Sequence, residues 1–122
     1  MSEQKTVWFE EADGLATVRI ENPALTVRAK EDLLAALRRA AESTTARAVL
    51  VLGSDKAFCV GQDLAEHAAV LEESPDRALV TVREHYNPIV CAFEDIQVPE
   101  EIGIEGACVG VGLVFALAGD LR

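Results

Sequence analysis

Residues 104–120 read IEGACVGVGLVFALAGD, and the rest of the chain is organised around this stretch. Three glycines, Gly106, Gly110 and Gly112, stand among small or branched residues. They lead into an apolar run, Leu113 to Ala118, with no charge and no proline. Closely spaced glycines ahead of such a run predict a tight loop turning into a buried helix. The first N–H groups of a helix lack partners within it, and the helix dipole adds positive character there. A helix start bare of side chains can therefore hold a carbonyl oxygen or an anion. Small residues also let a helix pack closely on a sheet, and this stretch alone does not separate the two uses.

A second stretch, Lys56 to Leu64, reads KAFCVGQDL and follows an apolar strand-like run, Ala48 to Leu52. Together AFCVGQDL and IEGACVGVGLVFALAGD closely resemble two motifs of the enoyl-CoA hydratase/isomerase (crotonase) superfamily. Their order, their separation and the elements around them resemble the N-terminal half of that family. Within it, GACVGVGLVFALAGD looks most like the branch that includes ring-epoxide isomerases of phenylacetyl-CoA. The resemblance implies an α/β, crotonase-like spiral of repeated ββα units. Residues 1–122 would form its N-terminal portion, with no second domain.

Composition narrows the classes of function. A chain of 122 residues suffices for one domain with a core. No apolar run reaches the ~20 residues needed to span a membrane, and MSEQKTVWFEE lacks the basic-then-apolar order of a signal peptide. A cytoplasmic location is expected. A formal charge of −10 argues against a broad nucleic-acid surface. The three cysteines, Cys59, Cys91 and Cys108, have no metal-ligand spacing and are expected to be reduced and mostly buried.

Read in order, Val7 to Glu11 and Leu15 to Ile20 flank Asp13-Gly14 and predict a hairpin. Glu21 to Thr26 is expected to be a loop, and Arg28 to Glu42 an amphipathic helix with Leu33, Ala36, Leu37, Ala40 and Ala41 inward. Ala48 to Leu52 reads as a strand covered on both faces. Ala65 to Glu73 predicts a short helix. A longer helix is expected from Asp76 to Phe93, kinked or divided at Pro88. In Val98 to Glu105, where the family places an apolar strand, Glu100 and Glu101 stand side by side. On a strand they point to opposite faces, so either the strand is an exposed edge or the segment departs from the family.

The resemblance also implies a chemistry. Reactions on acyl-CoA thioesters build enolate charge on the thioester oxygen, which two aimed backbone N–H groups stabilise. By motif position these donors fall on Gln62 and Val111. Val60, Gly61, Asp63 and Leu64 would line the adenine and pantetheine path, with Gly110 and Val114 as further substrate positions. Asp63 can equally be a turn or cap residue bonding its own backbone. Lys56 is the cation best placed for a coenzyme A phosphate, or else a solvated loop lysine. No covalently bound cofactor and no metal are expected; a coenzyme A thioester would be the substrate.

Acid–base residues depart from the family. Hydratases carry a Glu where this chain has Val114, and the family's second carboxylate lies on the segment after Asp120. The expectation is therefore isomerase-like rather than hydratase-like chemistry. A non-catalytic binding or assembly module is the rival. Partnership with further copies of the chain, or with a C-terminal half, is expected through Leu113, Phe115 and Leu117, together with an unpaired sheet edge.

Overall fold

The computed structural model describes residues 6–54 and 57–122. Strands β1 (Val7–Ala12) and β2 (Leu15–Ile20) form an antiparallel hairpin, with Ala12 opposite Leu15 and Val7 opposite Ile20. Asp13 and Gly14 both take positive φ, 53° and 83°, the turn whose twist matches that of the strands. A short strand β3 (Ala24–Leu25) lies within the segment expected to be a loop. Helix α1 (Val27–Glu42) starts one residue earlier than expected. The Thr26 hydroxyl accepts from the Ala29 N–H and fixes that start.

Strand β4 (Ala48–Leu52) runs parallel to β2 on one side and to β7 (Glu100–Gly103) on the other, giving the sheet order β1-β2-β4-β7. Between β4 and β7 come β5 (Ala57–Cys59), β6 (Gly61–Gln62), α2 (Leu64–Glu73), a 3-10 turn at Pro75–Arg77, a π turn at Val82–Tyr86 and α3 (Asn87–Asp95). The chain ends with β8 (Ala107–Cys108) and α4 (Val111–Ala118). Two small parallel pairs, β3 with β6 and β5 with β8, stand apart from the main sheet. They carry both sequence motifs.

The core lies on one face of the main sheet. Register aligns Ala16 with Val49 and Val18 with Val51, and all four are buried beneath α1 residues such as Leu33 and Leu37. Ala48, Leu50 and Leu52 are only half-buried, so β4 alternates instead of being covered on both faces. The long helix expected from Asp76 is broken into three pieces. Pro88 has no N–H to give, and the π turn takes up the register ahead of it, with Asn87 N–H reaching back to the Val82 carbonyl. Helix α2 buries no residue of its own. Of the cysteines, all free, Cys59 is buried, Cys108 half-buried and Cys91 exposed. The expectation of mostly buried cysteines therefore holds only for Cys59.

Helix α4 corrects two expectations. It is not buried all round: Leu113, Val114 and Leu117 are about half exposed. Phe115 is fully buried, its ring centroid 5.6 Å from that of Phe93 and 6.4 Å from that of Tyr86. It belongs to this chain's own core and is not a surface contact for a partner. The outer edge of β7 is also partly covered. Ile102 N–H donates to the Leu121 carbonyl at 2.7 Å, and Asp120 and Leu121 N–H donate to the Glu100 carbonyl.

The adjacent glutamates divide as strand geometry requires. Register sets Glu100 beside Val49 on the covered face and Glu101 beside Leu50 on the exposed one. Glu100 is 4% exposed, and its Oε1 has no hydrogen-bond partner among the described residues. Its backbone N–H is held by the Asp120 carboxylate at 2.8 Å. Burial first, then the charges of Asp120 and Glu94, push the Glu100 carboxyl up to about 8. The unfolded carboxyl ionises near 4.5, so between these values the unfolded state releases a proton that the folded state keeps. Stability falls as pH rises through this window, in total by on the order of a few kcal/mol. Thermal melts of Glu100→Gln should match the parent below the window and exceed it at pH 8. Equal pH dependence in both proteins would refute this account.

Candidate active site

Two segments converge from the small parallel pairs. The Val60 N–H donates to the Pro23 carbonyl at 2.8 Å and the Asp63 N–H to the Leu25 carbonyl at 3.0 Å, which anchors the Val60–Asp63 segment on β3. Gly61 between them takes φ 90°, which a side chain would strain. On the other segment, Val109 N–H donates to the Cys59 carbonyl at 3.1 Å. Gly110, at φ 56°, turns the chain into α4. The helical ladder opens with Gly112 N–H to Val109 O at 2.9 Å and Leu113 N–H to Gly110 O at 3.1 Å. The Val111 N–H lies ahead of that ladder.

The approach is close. A Cβ on Gly61 would lie 3.4 Å from the Val111 nitrogen, and one on Gly110 would lie 4.0 Å from the Gly61 Cα. At Gly112 a Cβ would fall 2.0 Å from the Cys59 carbonyl oxygen, which no packing adjustment accommodates. Glycine there lets α4 rest directly on β5. The structure thus brings Gly61, Gln62, Gly110 and Val111 into one place.

The remaining predicted positions are distributed around it. Val60 is half-buried between β5 and β6. The Asp63 carboxylate accepts from Glu66 N–H at 2.9 Å and caps α2, the structural use left open by the sequence. Leu64 is 80% exposed. Val114, one turn beyond Val111 and on the same side of α4, is half-exposed. Lys56, expected near a phosphate, lies outside the described residues.

Side chains that sequence reasoning passed over support the Gln62 segment. Tyr86 donates its phenol O–H to the Gln62 Oε1. The Lys30 ammonium sits 4.6 Å from the centre of the Tyr86 ring and donates to the Thr81 hydroxyl at 2.6 Å. Thr81 in turn lies 2.8 Å from His85 Nδ1. Lys30 is wholly buried, and burial lowers its ammonium from the usual lysine range. Burial likewise pushes the Tyr86 phenol upward, so that it remains a donor. A signal for Lys30 was present: it stands three and seven residues ahead of Leu33 and Leu37, on the apolar stripe. Glu66 also enters, accepting from Val27 N–H at 2.8 Å and tying α2 to the start of α1.

Comparison with known proteins identifies the family and the fold. The enoyl-CoA hydratase/isomerase family model matches residues 10–122, and the chain belongs to that family. It is 37% identical over 120 residues to a probable enoyl-CoA hydratase of Rhodobacter capsulatus, covering 95% of this chain and 44% of that protein. It is 30% identical over 86 residues to the 1,2-epoxyphenylacetyl-CoA isomerase of Escherichia coli, covering 70% of this chain and 32% of that protein. A crystal structure from Mycobacterium abscessus, described as an enoyl-CoA hydratase/isomerase, superposes with a TM-score of 0.93. It is 44% identical and covers 95% of this chain and 46% of that one. The fold is thus the N-terminal part of the crotonase fold. The chain spans about half the length of the relatives it matches, and no helix among the described residues is long and apolar enough to cross a membrane.

Gly112→Ala tests the close approach. Forcing a methyl against the Cys59 carbonyl should destabilise the chain by about 1–3 kcal/mol or more, read by chemical denaturation. A loss within a few tenths of a kcal/mol would mean that α4 does not rest on β5 as described.

Proposed function

We propose that this chain holds the thioester end of an acyl-CoA molecule and that the backbone N–H groups of Gln62 and Val111 stabilise the enolate oxygen formed there. The observation that carries the proposal is the contact between the Gly61 and Gly110–Val111 backbones. Both donors belong to main chain, so valine at position 111 costs nothing. Fixed N–H groups need no reorganisation as charge develops, and each contributes typically a few kcal/mol. Val60, Gly61, Asp63 and Leu64 are read as the coenzyme path, largely through main chain, with Gly110 and Val114 beside the acyl group. Lys56 is kept as a possible phosphate contact.

The reaction is read as isomerase-like. Val114 offers no proton, whereas hydration needs positioned acid–base groups. The chain is similar both to a probable hydratase and to the 1,2-epoxyphenylacetyl-CoA isomerase, so the choice rests on Val114. Family membership does not favour the non-catalytic module. The half-exposed Leu113 and Leu117 support association through the outer face of α4, with further copies or with a C-terminal half.

Calorimetric titration should give tighter binding of acetyl-CoA than of free coenzyme A. Equal affinity for both, or none for either, would remove the donor-pair reading. Crotonyl-CoA hydration, followed by loss of enoyl absorbance, should stay at background. Turnover that survives repurification would show that the role assigned to Val114 is wrong.

A further inference from the structure

We propose that Tyr86 is a positioning residue for the donor pair, its phenol holding the Gln62 side chain so that the Gln62 backbone N–H keeps its aim. This rests on the proposed function above. Gln62 sits at the end of β6, a strand of two residues whose one partner among the described residues is the equally short β3. So short a ladder gives little resistance to rotation of the peptide that carries the donor. Its flanking bonds, from Val60 to Pro23 and from Asp63 to Leu25, fix the segment at two points but leave Gln62 between them.

The Tyr86–Gln62 hydrogen bond supplies a third point, from a different part of the chain. Tyr86 is 7% exposed, and two contacts constrain its ring. Phe115 of α4 lies 6.4 Å away, centroid to centroid, and the Lys30 ammonium lies 4.6 Å from the ring centre. Lys30 is itself held by Thr81 at 2.6 Å. Phe115 stands four residues after Val111 on the same helix. One aromatic ring therefore touches the helix that carries one donor and bonds the side chain of the residue that carries the other. The separation of the two N–H groups is referred to a common, buried object.

The test uses acetyl-CoA and S-ethyl-CoA, a thioether that lacks the carbonyl oxygen. Donor aim affects only the first; packing and coenzyme contacts affect both. Tyr86→Phe should weaken acetyl-CoA binding by about three- to tenfold while changing S-ethyl-CoA binding by less than about twofold. Gln62→Met, which removes the acceptor and keeps the length, should do the same. The double variant should be no weaker than either single one, because both remove one interaction. Equal losses for the two ligands, or additive effects in the double variant, would overturn the positioning role. If Tyr86→Phe does not fold, Gln62→Met decides alone, and an unchanged thioester preference there overturns the inference. A parent protein with no thioester preference would instead bring down the donor-pair reading, and this inference with it.

Discussion

The seating of α4 directly on β5 is the constraint on which the site depends. Helices usually pack on strands through side chains, at a spacing too wide for their backbones to share one small group. Here Gly112 removes the side chain at the contact, and the Cys59 carbonyl occupies the space a Cβ would need. Phe115, one turn further along the same side of the helix, then secures it by filling the space beside Phe93 and Tyr86. Close approach and aromatic anchoring are complementary. The first sets the distance between the two segments, and the second stops α4 from rolling away.

Much of this was legible beforehand, because the strongest signals are local. Asp13-Gly14 between alternating runs specified the hairpin and its turn, and the period of Leu33, Ala36, Leu37 and Ala40 specified α1. The glycines of residues 106–112 predicted a tight turn into a helix and left open whether they also served close packing; Gly106 and Gly110 take positive φ, and Gly112 makes the close approach. What stayed hidden depends on contacts far apart in sequence. Strands β3 and β6 are too short to show a pattern, and each exists only because the other lies beside it. The bond from Tyr86 to Gln62 spans 24 residues and carries no local mark. Phe115 looked like one member of an exposed apolar row. Only the packing of α3 shows that it turns inward while Leu113 and Leu117 turn outward.

Two buried ionisable groups are treated in opposite ways. Lys30 is wholly enclosed, but a hydroxyl accepts from its ammonium and an aromatic face lies within reach, so its charge is partly compensated. Glu100 is nearly as enclosed, and what lies near it is acidic. Its proton is the cheaper solution, since a neutral carboxyl avoids most of the cost of burial. The same sheet face that accepts Val18, Val49 and Val51 without cost thus holds one group that is stable there only in its neutral form.

Helix α2 has a different standing from the other three. It places no side chain in the core, and it is attached at its beginning, where Asp63 caps it and Glu66 reaches the start of α1. Its fixing contacts therefore lie in the first turn, next to Gln62 in sequence, while residues 71–73 at its far end are exposed. Anchoring and exposure are thus divided along a single ten-residue helix.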